Sequence, residues 1–211
     1  MYVLYHFPYS QHARRVVALL EAAGLSYELR NVAMEKGEHM SPEFLAVNPN
    51  HQVPVLIDGS FKLFESSTIL RYLCEKHTLA NWYPVDSRIR ATVDQWLDWN
   101  QCRLTPAVMD IVLNTVFLGN TGDKAAITRG RRTMVELAAI LDTALKGRTF
   151  LAGSEPTIAD LSVGSNIFQL SFVNAVPGEP NVRDWYQRVN AIDGFQKSLP
   201  TVAISDFLGK F

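Results

Sequence analysis

The sequence predicts an α/β domain at residues 1–79 followed by an all-helical domain at residues 87–211. The first eighty residues alternate β-like runs with helix-like stretches in the order βαβαββα. The strand signals stop after Pro84, and apolar residues then recur at helical spacing. With 211 residues, 47% of them hydrophobic, the chain is long enough to bury a core without disulfides.

The first strand and the first helix follow the start of the chain. The run from Tyr2 to Phe7 has the composition of a strand and is bounded by Pro8. Apolar residues at helical spacing begin at Ala13 and continue until Gly24 ends the pattern. A βα unit therefore opens the chain.

A second strand, a short helix, a hairpin and a third helix complete the α/β domain. Ser41 followed by Pro42 is typical of a helix start, because proline is favoured at the first helical position. Asp58-Gly59 separates two β-like runs and predicts a hairpin turn, and Ser66 begins the last helical pattern. The remaining predicted strands are Tyr27–Val32, Val55–Ile57 and Phe61–Phe64.

The helical half contains a segment interrupted by proline and a strongly apolar helix. Pro106 predicts a bend or a break within residues 88–118, because proline lacks an N–H and clashes with the preceding turn. Residues 158–172 are apolar on nearly all sides, as in a helix at the centre of a domain. Thr157, with Asp160 three residues later, is an aspartate variant of the capping box and predicts where that helix starts.

Charge and composition exclude several classes of function. Twenty basic and twenty-one acidic residues leave a net charge of −1, so the chain lacks the excess of positive charge that nucleic-acid binding requires. No long apolar run and no signal-peptide pattern occurs, so we expect no membrane association and a cytoplasmic location. Cys74 and Cys102 are expected to be free thiols in a reducing compartment. No cluster of residues has metal-ligand spacing, and we expect no metal.

Ser10 is the first candidate site residue. It lies where a predicted strand ends and a helix begins, beside free backbone N–H groups and the positive end of a helix dipole. A bound thiolate is stabilised in such a position. Serine is also a preferred N-cap residue, so a purely structural role for Ser10 is the alternative.

Two further features lie beside the predicted hairpin. Pro54, at the start of an apolar strand, removes a ladder donor and predicts an exposed edge where the Val53 backbone pairs with an extended peptide. An ordinary edge-strand proline is the alternative. Glu65 and Ser66, an acid and a hydroxyl at a helix start, suit a ligand with an amino group and a carboxylate. Simple capping by Ser66 is the alternative there.

Taken together and in this order, these motifs resemble the glutathione transferases over nearly the whole chain. The matching motifs are Asn-Pro-x-x-x-Val-Pro-x-Leu at 48–56, Asp58-Gly59, Glu65-Ser66 followed by Ile69 to Leu73, and Thr157 to Asp160. Ser10-Gln11 and the segment 36–39 are most similar to the serine-type, theta-like branch and its bacterial relatives.

The resemblance implies a thioredoxin-like N-terminal domain that binds glutathione as co-substrate. It also implies a helical C-terminal domain that contributes the pocket for a small hydrophobic electrophile, and a homodimer. Ser10 matches the family hydroxyl that hydrogen-bonds the glutathione sulfur. Val53 precedes Pro54, which the family holds cis, and matches the backbone that pairs with the cysteinyl unit.

The two ends of glutathione are assigned by the same resemblance. Glu65 and Ser66 match the group that holds the γ-glutamyl end, and His39 matches a residue near the glycyl carboxylate. Gln52 stands where theta-like members often have lysine for that carboxylate. The residues expected around the second substrate are Tyr9, Trp99, Cys102, Arg103 and Phe207.

Three functions are open at this point. The preferred one is a detoxifying glutathione transferase that activates the glutathione thiol as a thiolate. A glutathione-dependent disulfide reductase and a noncatalytic binding module of the same fold are the alternatives.

Tyr5 and Tyr9 are rival hydroxyls to Ser10, but Tyr5 lies inside a predicted strand and Tyr9 is not at the matched position. Dimerisation is expected through residues 61–64 and 88–93.

Overall fold

The computed structural model describes residues 1–208. Its contacts divide the chain into two units, one holding residues 1–79 together with Ile192–Thr201, the other holding residues 80–191 and continuing from Val202. The helices and strands are β1 (Tyr2–His6), α1 (Gln11–Ala22), β2 (Tyr27–Asn31), α2 (Pro42–Leu45), β3 (Val55–Asp58), β4 (Phe61–Phe64), α3 (Ser66–Lys76), α4 (Ser87–Trp99), α5 (Thr105–Val112), α6 (Lys124–Leu145), α7 (Ile158–Leu170), α8 (Pro180–Asn190), α9 (Asp193–Lys197) and α10 (Ile204–Leu208).

The first unit is built on a four-stranded mixed sheet in the order β2-β1-β3-β4. Strand β1 runs parallel to β2 and antiparallel to β3, and β4 returns antiparallel to β3. The predicted order βαβαββα is therefore confirmed. Together with the helical second unit, this sheet confirms the predicted combination of a thioredoxin-like domain and an all-helical domain.

The prediction that Pro54 marks an edge strand is wrong. Strand β3 lies between two others, since Val55 pairs with Tyr5 on one side and with Phe64 on the other. Pro54 immediately precedes the first paired residue, so its missing N–H removes no bond from the ladder. The peptide bond from Val53 to Pro54 is cis, as the resemblance implies.

Helix α9 completes the first unit by packing on α1. The approach is close at Gly194, where a Cβ atom would lie 2.5 Å from the backbone nitrogen of Ala22 and 2.6 Å from the carbonyl oxygen of Ala18. Only glycine fits such a backbone contact without displacement. The structure therefore differs from the predicted domain boundary, which assigned residues 192–201 to the helical domain.

The second unit is centred on α7, whose residues are almost all buried, as its apolar sequence predicts. Thr157 and Asp160 form the predicted capping box at its start. The Asp160 carboxylate also accepts a hydrogen bond from the N–H of Leu151 at 2.9 Å. Burial raises the pKa of this carboxyl, and its hydrogen bonds oppose the rise.

The predicted disturbance at Pro106 is a change of helical winding. Between α4 and α5 the residues Asn100–Leu104 form a π-helical turn, hereafter the π turn, in which the N–H of Thr105 donates to the carbonyl of Asn100 five residues earlier. Pro106 is the second residue of α5, and the chain already has helical backbone angles at Leu104 and Thr105, so the missing N–H of Pro106 interrupts the helical hydrogen bonds at this point. Among the residues that the structure describes, no helix is long and apolar enough to cross a membrane.

Candidate active site on the first unit

Three candidate segments leave the sheet at the same end. Tyr5, Val55 and Phe64 form one row across β1, β3 and β4. Beyond that row, β1 leads towards Ser10 and β4 leads directly into Glu65, while Val53 and Pro54 precede β3. Because β3 is antiparallel to both neighbours, its start lies beside their ends. The topology therefore brings these segments to one edge of the first unit.

Ser10 is the N-cap of α1. Its backbone is extended, with φ −80° and ψ 117°, and its Oγ accepts the N–H of Ala13 at 3.2 Å. The capping role weighed from the sequence is thus present. Accepting that bond uses a lone pair of the hydroxyl oxygen and leaves the hydroxyl proton available for donation. Capping and hydrogen bonding to a bound sulfur are therefore compatible in Ser10.

Helix α1 holds a buried positive charge whose side chain returns to the first turn of the helix. The Arg15 side chain is fully buried and donates its Nε–H to the carbonyl of Gln11 at 3.2 Å. Burial lowers the pKa of Arg15 to about 9, so the guanidinium stays charged at neutral pH. Burial and the charge of Arg15 lower the pKa of His12 to about 3, so His12 is neutral there. The burial of Arg15 is not predictable from the sequence, because an arginine within a helical pattern usually marks a solvated face.

Glu65 and Ser66 stand at the junction of β4 and α3. Glu65 is the N-cap with φ +69°, a region that residues other than glycine rarely adopt, and it makes no side-chain capping bond. Ser66 is the first residue of the helix and is buried. The alternative of simple capping by Ser66 is therefore wrong. Strained backbone of this kind clusters at functional sites.

Ser67, next to Ser66 in the first turn of α3, is a further site candidate. Its Oγ is buried and has no hydrogen-bond partner within residues 1–208. Buried hydroxyls are normally paired. The adjacent hydroxyl of Ser66 and the helix N-terminus are the signals that could have identified it.

The segment before β3 is held in place by the buried Asn48. Its side-chain Nδ2 donates to the carbonyl of Gln52 at 2.8 Å. Gln52 is exposed, whereas Val53 is buried and its backbone lies outside the ladder, which begins at Val55. His39 lies on a 3₁₀ turn and is partly exposed, and its Nδ1 has no partner among the described residues.

The other predicted site residues are spread over both units. Tyr9 is buried in the first unit, with its ring 5.6 Å from that of Phe7. The Tyr5 hydroxyl accepts a hydrogen bond from Arg30, its register partner on β2, at 2.8 Å. On the second unit, Cys102 and Arg103 are exposed, and Trp99 and Phe207 are partly exposed. Within residues 1–208, no group of His, Cys, Asp and Glu forms a metal site.

Comparison with known proteins identifies the family. The family model for the glutathione S-transferase N-terminal domain matches residues 1–75, and that for the C-terminal domain matches residues 124–188. Glutathione S-transferase theta-2 of Rattus norvegicus is 36% identical over 193 residues, which cover 88% of this chain and 79% of the relative. Theta-1 of Homo sapiens is 34% identical over 204 residues, which cover 88% and 80%.

Solved structures agree with the sequence matches. Human glutathione transferase theta-2, crystallised with glutathione and an unknown ligand, superposes with a TM-score of 0.87 at 32% identity, covering 94% of this chain and 86% of that one. A delta-class glutathione transferase of Nilaparvata lugens gives a TM-score of 0.88 at 28% identity over 100% of both chains. The predicted resemblance is therefore confirmed, and the chain belongs to the glutathione S-transferase family.

Proposed function

We propose that this glutathione transferase binds glutathione at the sheet end of the first unit and that Ser10 donates a hydrogen bond to the glutathione sulfur. The observation that carries the proposal is the Ser10 hydroxyl, which caps α1 through its oxygen and keeps its proton for a ligand. The glutathione thiolate attacks an electrophilic carbon of a small hydrophobic substrate, so a C–S bond forms as the bond from that carbon to its leaving group, such as a halide ion, breaks.

The chemistry requires a lower thiol pKa. A free thiol has a pKa of about 8.5 and is mostly protonated at neutral pH, whereas only the thiolate is a good nucleophile. A hydrogen bond from Ser10 stabilises the anion, and the N-terminus of α1 adds to it, so we expect a shift of about one to two units.

The rest of glutathione is assigned to residues at the same end of the sheet. The Val53 backbone, outside the ladder, pairs with the cysteinyl unit, and Glu65 with Ser66 holds the γ-glutamyl end. The carboxylate of the glutamyl unit is favoured at the N-terminus of α3, an 11-residue helix. His39 and Gln52 are assigned to the glycyl carboxylate.

Tyr9 of the first unit, and Trp99, Cys102, Arg103 and Phe207 of the second, are proposed to contact the electrophile. The four residues on the helical unit have partly or fully exposed side chains, which supports this role for them. We further infer a cytoplasmic location, since both cysteines are free and one of them is exposed. A role in detoxification is proposed from the attack of the thiolate on electrophiles. A homodimer is proposed from the exposed phenylalanines of β4.

Paired initial rates test the activity. With glutathione present, an aryl halide and a small disulfide are compared as second substrates for the wild-type protein and for Ser10→Ala. We expect turnover of the aryl halide that depends on Ser10. Turnover of the disulfide alone would indicate a reductase, and no turnover of either would indicate a binding module.

A further inference from the structure

A single buried amide on α7 ties together both ends of the π turn. The Asn166 Nδ2 donates to Oδ1 of Asn100 at 2.7 Å and to Oγ1 of Thr105 at 2.9 Å. Asn100 is the first residue of the turn, and the N–H of Thr105 closes it. All three residues are buried, and Asn166 and Asn100 are fully so. The side-chain bonds thus connect the same two residues as the π-type backbone bond.

This polar group is not explained by packing alone. In the part of the chain that the structure describes, Nδ2 of Asn100, Oδ1 of Asn166 and Oγ of Ser162 are buried without a hydrogen-bond partner. Unpaired buried polar atoms destabilise a fold, and apolar residues of similar volume would avoid that cost. What the amide adds is a specific geometry, because its two bonds are made only when the turn is wound as a π turn.

The winding of this turn decides where its exposed side chains point. Cys102 and Arg103 lie on the π turn and are exposed, and Trp99 directly precedes it. A π turn contains one residue more than an α turn, so rewinding it as α-helix would rotate the side chains within the turn progressively, by an angle that reaches about 100° after its last residue.

We propose that Asn166 is a positioning residue that holds the π turn and so fixes the directions of Cys102 and Arg103. Through them Asn166 sets the selectivity among electrophiles without touching the substrate. The selectivity part rests on the proposed function, in which Cys102 and Arg103 contact the electrophile.

Pro106 is the rival cause of the π turn. In an α-helix its nitrogen would face the carbonyl of Cys102, to which proline cannot donate a hydrogen bond. If Pro106 alone imposes the winding, the Asn166 amide is dispensable. The two causes are separated by removing the amide while leaving the proline in place.

The first measurement uses Cys102 as a reporter without any substrate. The rate at which an aromatic disulfide reagent modifies the protein reports Cys102, because Cys74 is buried and burial raises its pKa to about 12. Asn166→Leu is nearly isosteric and lacks the donor. Thr105→Val removes one acceptor only and serves as the milder variant in case Asn166→Leu does not fold.

The matched control is Asn114→Leu. Asn114 is a buried amide of the second π turn, Leu113–Phe117, and donates its Nδ2 to the carbonyl of Asp110 at 2.9 Å. We expect the modification rate of Cys102 to change by about threefold or more in Asn166→Leu, and in the same direction but less in Thr105→Val. Asn114→Leu should leave the rate unchanged.

The second measurement is the ratio of kcat/KM for a flat aryl halide to that for an alkyl halide, with the glutathione Kd measured in parallel. We expect the ratio to change by about threefold or more in Asn166→Leu while the glutathione Kd stays constant. An unchanged Cys102 rate in the folded variants would mean that Pro106 alone winds the turn, and it would overturn the proposal.

The two proposals fail in different ways. A changed Cys102 rate with an unchanged substrate ratio overturns the link to selectivity. A wild-type protein without transferase turnover overturns the proposed function and that link, whereas the Cys102 rate still decides whether Asn166 holds the turn.

Discussion

Trp185 donates its indole Nε1–H to Oδ1 of Asp160 at 2.8 Å, and neither residue is exposed. The same carboxylate accepts the N–H of Leu151 and, through Oδ2, the N–H of Thr157 at 2.9 Å. One side chain thus joins α7, α8 and the segment between α6 and α7. Each donor would be left unpaired in the core if the carboxylate were lost.

Asp160→Asn is expected to lower the free energy of unfolding by about 2–4 kcal/mol, because one amide N–H₂ would face N–H donors in place of a carboxylate oxygen. Urea denaturation measures the change. The control is Asp184→Asn, which alters an exposed ion pair with Arg183 and should cost under about 1 kcal/mol. Equal losses of unfolding free energy in the two variants would show that the hydrogen bonds to Asp160 stabilise the fold no more than the exposed ion pair does.

Ser10→Ala should reduce turnover of an electrophile by about 10- to 1000-fold, roughly 1.4–4 kcal/mol, because the thiolate loses its hydrogen bond. The pKa of bound glutathione, followed by ultraviolet difference absorbance, should rise. Glutathione affinity should change much less, since Glu65, Ser66 and Val53 still hold the tripeptide.

Ser41→Ala is the matched control for the capping role of Ser10. Ser41 caps α2 through an N–H bond from Phe44 of 3.2 Å, the same length as in the Ser10 cap. Both variants should lose about 1 kcal/mol of stability, but only Ser10→Ala should lose turnover. Near-normal turnover and an unmoved thiol pKa in folded Ser10→Ala would transfer the role to Tyr5 or Tyr9.

Glu65→Gln should weaken glutathione binding by about 10- to 100-fold, because the carboxylate no longer pairs with the γ-glutamyl ammonium. Calorimetry with glutathione and with an analogue lacking that amino group gives the test. The analogue should bind the wild type and Glu65→Gln with the same affinity. The control is Glu75→Gln, which changes an exposed acid at the other end of α3 and should leave glutathione affinity unchanged. If Glu65→Gln lost as much affinity for the analogue as for glutathione, the contact between Glu65 and the ammonium group would be contradicted.

Stability should fall in acid through two histidines. Burial lowers the pKa of His6 to about 4, and burial with the charge of Arg15 lowers that of His12 to about 3. Below the unfolded value of about 6.5 the unfolded chain binds protons that the folded chain does not, so the free energy of unfolding decreases as pH falls.

At pH 5.5 the loss is about 1.4 kcal/mol for each histidine, and His12→Gln should remove its share. Thermal unfolding of both proteins from pH 8 to pH 5 measures this, with the difference at pH 8 as the reference. Identical pH slopes for the wild type and the variant would contradict the shift assigned to His12.

A homodimer is expected because Phe61 and Phe64 are 48% and 41% exposed on β4, an edge strand of the sheet. Sedimentation at micromolar concentration should show twice the 23.7 kDa chain mass, and Phe64→Glu should shift it towards the monomer. Val135→Glu, at a 69% exposed position of α6, is the control. A single 23.7 kDa species in the wild type would refute the dimer.

The elements that the sequence predicts best are those with local signals. Thr157 and Asp160 mark the start of α7 because the capping box is made within four residues. Ser10 is recognisable in the same way, since the cap residue and the start of the helix are adjacent in the sequence. Asp58-Gly59 likewise fixes the hairpin, which connects β3 and β4 as expected.

The features that sequence reasoning missed depend on distant partners or on backbone angles. Pro54 shows only that an N–H is missing, not whether its strand lies between two neighbours. The positive φ of Glu65 cannot be predicted from the sequence, because glutamate rarely adopts such a backbone angle. The bond from Asn166 to Asn100 spans 66 residues, so neither amide indicates the other.

Helix α9, which packs on α1 through Gly194, affects the order in which the chain can fold during synthesis. The ribosome makes residues 1–79 first, yet the segment that covers α1 follows only after residue 191. The nascent first unit must therefore wait, with this face of α1 open, while the helical unit is made. Chaperones that bind apolar surfaces would meet that face in the unfinished chain, and a fragment ending at Leu79 should aggregate more readily than the full chain.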